Sequence, residues 1–280
     1  MILLRKPGEA QNFITNLKLS NKTIGFVPTM GALHDGHISL VNQSKKENDF
    51  TIVSIFVNPT QFNNPDDLKK YPRTEETDIA LLESAGTDAV FIPSVEMIYP
   101  QGQISETFQF HGLENQMEGK FRPGHFDGVA TVVKKFFEII QPNRAYFGEK
   151  DFQQLRIIQE MVKQFNLPVE IIPVPIKRES DGLAMSSRNM RLTPEMRQES
   201  VIINKILSEA KSFLKNHTVA ETKTFVSEEF KKTHLELEYF EIADEAHLLP
   251  VSEVEKEVKI RGFIAAFAGD IRLIDNMSLN

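Results

Sequence analysis

The 280-residue sequence contains no cysteine. That absence excludes a disulfide framework, thiolate zinc sites, iron–sulfur clusters and a cysteine nucleophile. Long apolar runs are missing as well. The longest uncharged apolar stretch late in the chain, 262–269, falls far short of the ~20 residues a membrane span needs. At the start, a four-residue apolar segment meets Arg5 and Lys6 with no signal-like stretch behind it, so the expectation is a cytoplasmic protein without membrane contact. Nor is there an excess of positive charge. Lys+Arg total 32 against 39 Asp+Glu, a net charge of −7, which argues against nucleic acid as a partner but leaves room for a local basic pocket. No internal repeat or low-complexity tract occurs. The alternating charges at 253–259 read as a solvated face.

What remains is an ordinary globular composition, 41% hydrophobic and 25% charged. A chain of this length can bury about three quarters of its surface and needs no staples, and its length leans toward two domains. Up to about residue 175, strand-like and helix-like patterns alternate. Strands are expected at 23–28, 51–57, 89–92, 144–147 and 169–174, and helices at 37–48, 75–85, 128–140 and 151–165. A polar loop is expected through Pro72. Repeated β-α-β units predict a Rossmann-like α/β domain with a parallel sheet, over 1–175. Beyond it, Thr193-Pro194-Glu195 opens a helix expected to run to about Lys215, followed by a second over 220–232. Strands at 235–242, 258–268 and 271–274 then complete a smaller α+β domain, 176–280.

Five segments carry possible chemistry. Pro28-Thr-Met-Gly-Ala-Leu-His-Asp-Gly-His37 follows a strand and opens a helix, where free backbone N–H groups favour phosphate. Gly31 and Gly36 are spaced as in a P-loop, but His37-Ile38 stand where Lys-Ser/Thr would be required, so a P-loop is rejected. The His-x-x-His pattern is instead similar to the HIGH motif of nucleotidyltransferases, in which two imidazoles meet charge building on phosphate. The plainer alternative is a glycine turn with two surface histidines, and no further histidine stands beside the pair to favour a metal. Asn58-Pro59-Thr60-Gln61-Phe62 lies at the carboxyl end of a strand, the edge at which open parallel sheets bind ligands. Its two amides could hold hydroxyls or a carboxylate, or form only an Asn-Pro turn.

Arg122-Pro-Gly-His125-Phe-Asp-Gly-Val-Ala-Thr-Val-Val places Arg122 and His125 before a buried helix, as anion partners or merely as its cap. Phe147-Gly148-Glu149-Lys150-Asp151 is another strand end, with Lys150 a point charge for phosphate and Asp151 a cap or ribose partner. Finally, 177–189 follows the domain break. Its Ser186-Ser187-Arg188 resembles a KMSKS loop, with Arg188 in place of the final lysine, and could clamp a triphosphate as a closing loop.

Singly each segment has a structural alternative. In this order and spacing, with Tyr71-Pro-Arg-Thr74 and Arg272-Leu-Ile-Asp-Asn276, the set resembles the pantothenate synthetase (pantoate–β-alanine ligase) family of HIGH-motif enzymes. One departure is Asn63, where the family usually has glycine; asparagine tolerates a left-handed backbone, so the loop is expected to survive. The resemblance implies condensation of (R)-pantoate with β-alanine through a pantoyl adenylate, with ATP as substrate, Mg²⁺ as cofactor, and a homodimer. It implies catalytic roles for His37 (the proton donor by analogy), His34, Lys150 and Arg188. Met30, Gly31, Ala32, Leu33, His34, Asp35, Gly36, His37, Gly148, Glu149, Lys150, Asp151, Lys177, Met185, Ser186, Ser187 and Arg188 would bind ATP. Gln61, Gln154, Asn58, Arg122 and His125 would form the pantoate and β-alanine pocket, with no direct metal ligand assigned. The second domain would act as a lid.

Other readings share parts of this pattern. A class I tRNA synthetase would need an anticodon-binding region and a basic surface, and neither is evident. Another HIGH-motif adenylyltransferase has no use for a second acceptor amine. A non-catalytic ATP-sensing module would not need a residue at every charged position.

Overall fold

The computed structural model describes residues 1–280. The chain opens with β1 (Ile2–Leu4) and α1 (Pro7–Leu19), two elements the sequence pattern did not disclose. β1 is three residues long and leaves Ile2 and Leu3 exposed, so it shows neither alternation nor a buried run. Glu9 fixes the start of α1 by accepting from the backbone N–H groups of Arg5 and Lys6, 3.0 and 3.1 Å away.

The main series follows: β2 (Ile24–Thr29), α2 (Asp35–Glu47), β3 (Phe50–Ile55), α3 (Pro65–Lys70), α4 (Glu75–Ser84), β4 (Ala89–Phe91), α5 (Val95–Ile98), α6 (Met117–Phe121), α7 (His125–Ile140), β5 (Arg144–Gly148), α8 (Phe152–Gln164) and β6 (Glu170–Val174). All six strands pair in parallel, in the order β1-β4-β3-β2-β5-β6. Alternation along them divides the core in two. Phe26, Ile52, Phe91 and Phe147 join α1, α7 and α8 on one face. Val27, Val53, Val90 and Tyr146 join α2 and α4 on the other. Burial on both faces is why these strands read as continuous apolar runs. After β2 the chain adds β3 and β4 on one side, then crosses to place β5 and β6 on the other. The resulting crevice lies at the carboxyl ends of β2 and β5, where open α/β sheets place their ligands.

After Val174 come a loop with a 3-10 turn at Ser187–Arg191, then α9 (Pro194–Ser200), α10 (Ile202–Phe213), α11 (Val219–Phe230), β7 (Glu236–Asp244), β8 (Ile260–Ala268) and β9 (Ile271–Ser278). These three strands form an antiparallel sheet in the order β7-β8-β9. Ile203, Ile206 and Leu207 of α10 pack on Ile264, Ala266 and Leu273. From the opposite face, Ala243 and Phe263 enter the large core, with Phe263 6.0 Å from Phe152. The fold is thus an α/β parallel sheet with helices, followed by a small antiparallel α+β unit.

Several expectations need correction. The helix expected to run to about Lys215 is two helices, α9 and α10; the Ser200 hydroxyl bonds back to the Met196 carbonyl at 2.7 Å where they divide, a contact that bends helices. The loop before Pro72 contains a 3-10 turn at Pro59–Gln61 and α3. α7 begins at His125, which places Gly128 inside the helix. Asn63 does not adopt a left-handed backbone; its amide bonds to the Pro123 carbonyl, so it ties the loop down with its side chain.

Candidate active site

The first turn of α2 explains the spacing of the two histidines. His34 is the N-cap and His37 the third residue of the helix. The His34 Nδ1 accepts from Gly36 N–H at 3.1 Å, and the His37 Nδ1 accepts from His34 N–H at 3.3 Å. Two imidazoles thereby do what Ser and Glu do in a capping box. An accepting Nδ1 puts the hydrogen of each neutral ring on Nε2, so both rings keep a donor free of the helix. The ring centroids are 4.1 Å apart. Burial and the neighbouring Lys150 charge hold His34 down to about 4. Burial, His34 and Lys150 push His37 well below its ordinary value. Both are neutral donors at neutral pH.

Across the crevice, Asn58 and Gln61 follow β3. Asn58 is 1% exposed and fully engaged: its amide nitrogen donates to Gln61 Oε1 at 3.1 Å and to the Gly128 carbonyl at 3.0 Å. Its oxygen accepts from the Tyr99 hydroxyl at 2.7 Å. Asn58 therefore sets the orientation of the Gln61 amide, whose nitrogen points at Met30 Sδ, 3.1 Å away. Gly128 is required here, because a Cβ would sit 2.5 Å from the Thr60 carbonyl oxygen. His125 Nδ1 bonds to the Gln61 carbonyl at 2.8 Å, which makes Nδ1 the donor and leaves Nε2 an acceptor. Burial, then the Arg122 charge, lowers His125 to about 3. Arg122 reaches Gln61 O and Glu118, each at 3.4 Å.

The remaining wall comes from β5 and from the loop after β6. Lys150 lies 3.7 Å from Asp151. Ser187 donates to the Ala32 carbonyl at 2.9 Å, and Arg188 pairs with Asp67 at 2.7 Å. One cavity is lined by Met30, His34, Gly36, His37, Asn58, Gln61, Arg122, His125, Gly148, Lys150, Asp151, Gln154, Lys177, Met185, Ser186, Ser187 and Arg188, above an apolar floor of Val129, Val132, Val133 and Phe136. Five residues singled out from the sequence do not line it. Gly31, Ala32 and Leu33 form the turn behind the histidines, Asp35 is exposed on the first turn of α2, and the Glu149 carboxylate faces Arg261 at 3.9 Å.

Sequence reasoning also missed several supports. Asp78 accepts from the backbone of Ala32 and Leu33. Asn276 donates to the carbonyls of Glu149 and Lys150 at 2.9 and 2.8 Å, and Asp275 holds Arg178 beside Lys177. The Asp275-Asn276 pair was visible as a motif, but only folding brings it against a turn more than a hundred positions away. No three His, Asp or Glu groups are placed to hold a metal ion. Asp151 is the one carboxylate on the cavity wall, a set suited to a cation that arrives on phosphate oxygens and takes a single protein ligand.

A histidine-capped helix at the switch point of a parallel sheet, facing lysine, paired serines and arginine, defines the class: an α/β enzyme of the nucleotidyltransferase fold. The sequence profile of the family described as Pantoate-beta-alanine ligase matches residues 2–278. The pantothenate synthetase of Flavobacterium psychrophilum is 50% identical, with all of both chains covered. The crystal structure of pantothenate synthetase from Thermus thermophilus superposes with a TM-score of 0.92 at 40% identity, covering 100% of this chain and 99% of that one. A pantoate-beta-alanine ligase from Francisella tularensis, complexed with beta-gamma ATP and beta-alanine, gives 0.83 at 38%, covering 100% and 98%. The chain belongs to the pantoate–β-alanine ligase family.

Proposed function

We propose that this chain joins (R)-pantoate to β-alanine at the expense of ATP, through a pantoyl adenylate. The observation that carries this reading is the meeting, in one cavity, of a wall of basic and hydrogen-bonding side chains (His34, His37, Lys150, Ser186, Ser187, Arg188) and an amide-lined pocket (Gln61, Gln154) over an apolar floor. In the first step a pantoate carboxylate oxygen bonds to the α-phosphorus while the bond to pyrophosphate breaks. The Nε2–H groups of His34 and His37, with Lys150, Arg188 and the Ser186 hydroxyl, stabilise the charge that develops on the phosphates, while Ser187 stays tied to the Ala32 carbonyl. Because both histidines are neutral, hydrogen-bond donation supplies this without a proton leaving the ring. In the second step the neutral amine of β-alanine bonds to the acyl carbon, AMP departs and the nitrogen sheds a proton.

Gln61, aimed by Asn58, and Gln154 hold the pantoate hydroxyls and carboxylate, while Val129, Val132, Val133 and Phe136 receive its branched carbon centre. Arg122 and the open Nε2 of His125 complete the substrate pocket. The 30–37 loop, with 148–151, Lys177 and Met185, binds the nucleotide. Asp151 would take a Mg²⁺ ion carried by the triphosphate, which neutralises phosphate charge when bound. Residues 176–280 act as a lid over 1–175, shielding a hydrolysis-prone acyl adenylate from water. A cytoplasmic homodimer completes the proposal; light scattering tests the dimer.

The decisive experiment follows AMP and pyrophosphate release with ATP and pantoate, with and without β-alanine. A stoichiometric pyrophosphate burst without the amine, then AMP turnover after its addition, is expected. No pantoate-dependent pyrophosphate in either condition would overturn the substrate assignment.

A further inference from the structure

The Tyr71-Pro-Arg-Thr74 segment puts Tyr71 on the cavity wall and leads directly into α4, whose fourth residue is Asp78. This carboxylate is 2% exposed and has no cation within ion-pair distance. Its contacts are Ala32 N–H at 2.9 Å, Leu33 N–H at 2.8 Å and the Thr74 hydroxyl at 3.2 Å. It also sits in the first turn of its own helix, where a negative charge is favoured. The backbone it holds is unusual. Gly31 and Ala32 both have positive φ, 81° and 48°, and alanine does not hold that conformation without compensation. A Cβ on Gly31 would lie 3.0 Å from Asp78 Oδ2. The same turn delivers His34 to the N-cap, and its Ala32 carbonyl accepts from Ser187.

We infer that Asp78 is a positioning residue for phosphoryl chemistry: it locks the left-handed Gly31–Ala32 turn and so fixes at once the paired imidazoles of α2 and the seat of Ser187. The inference rests on the reading that His34 and His37 act on phosphate. An asparagine at 78 keeps the volume but offers one acceptor; its NH₂ group would face a backbone N–H and force the turn to move. Displacements near 1 Å at a reacting group cost on the order of 100-fold in rate.

The test uses full-length Asp78→Asn and Thr74→Ala. Imidazole ¹⁵N spectra of histidine-labelled protein, without nucleotide, report the tautomers of the pair. Single-turnover pyrophosphate release reports rate constant and active fraction separately. Asp78→Asn is expected to move the His34 and His37 signals away from the Nε2–H form. The rate constant per active site is expected to fall at least about 10-fold, with pantoate KM within about 3-fold. Thr74→Ala should shift both readouts the same way by less. Unchanged spectra and rate constant in Asp78→Asn would overturn the inference. So would a loss confined to burst amplitude, which marks a folding role only. If Asp78→Asn does not fold, an unchanged rate constant in Thr74→Ala overturns it. Spectra that move without a change in rate would sustain the hold on the histidines and overturn their action on phosphate.

Discussion

His37 and Gln61 stand on opposite sides of the cavity, and their loss should separate two functions. Under the proposed mechanism, removing the His37 ring takes away one oriented donor from the developing phosphate charge. His37→Ala is expected to slow adenylate formation about 100-fold or more with the fold retained, measured as single-turnover pyrophosphate release. Near-normal turnover would remove the ring from the mechanism. Gln61→Ala deletes an amide that Asn58 aims into the pocket. Calorimetry should show pantoate binding lost and ATP binding kept; the reverse pattern would refute the assignment. The histidine pair was legible in the sequence because a reciprocal helix cap demands spacing of three. The engagement of Asn58 was not, since its partners Tyr99 and Gly128 lie 41 and 70 positions away.

At the scale of elements, α7 meets the turn at Pro59–Gln61 through one glycine. Gly128→Ala would drive a methyl group against the backbone of Thr60 and Gln61, with a Cβ 2.8 Å from Gln61 Cα. Overpacking of this kind costs about 1–3 kcal/mol. The expected outcome is a raised pantoate KM and a lowered melting temperature with ATP affinity kept, and an unaltered pantoate KM would count against the close approach. The helix itself was legible from its apolar face. Its start at His125 was not, because Gly124, in a left-handed conformation, opens the helix three residues before Gly128, where the uninterrupted uncharged run begins. The short elements β1, α3, α5 and α6 escaped notice for a related reason: none is long enough to display a period.

Across the whole molecule, a buried charge cluster joins α6 to the antiparallel sheet. Glu118 of α6 accepts from Arg272 of β9 at 2.7 and 2.8 Å and from the Tyr239 hydroxyl at 2.8 Å. Burial would raise its pKa, but the Arg272 hydrogen bonds and charge outweigh that and hold it at about 2. Breaking this pair leaves an uncompensated buried carboxylate, so Arg272→Ala is expected to cost about 3 kcal/mol in urea unfolding. Acid should destabilise the protein for a second reason. His34 and His125 have folded values near 4 and 3, below the ordinary 6.5. Between those values and 6.5 the unfolded chain binds more protons, so stability rises with pH across that window and levels off above it. Glu118 adds stability above the ordinary glutamate range that is lost as pH falls toward 2. Urea midpoints should therefore drop between pH 7 and pH 5, and a flat profile would contradict neutral burial of these rings.

The sequence alone determined the parallel α/β series, the change to an α+β unit and the candidate stretches for the site, because periodicity, capping and glycine spacing are local properties. The tertiary structure decided which of those residues converge on one cavity and which serve it from behind. The contacts of Asp78, Glu118 and Asn276 are made between distant segments. Close packing alone brings such segments within hydrogen-bond reach, and no local pattern in the chain encodes it.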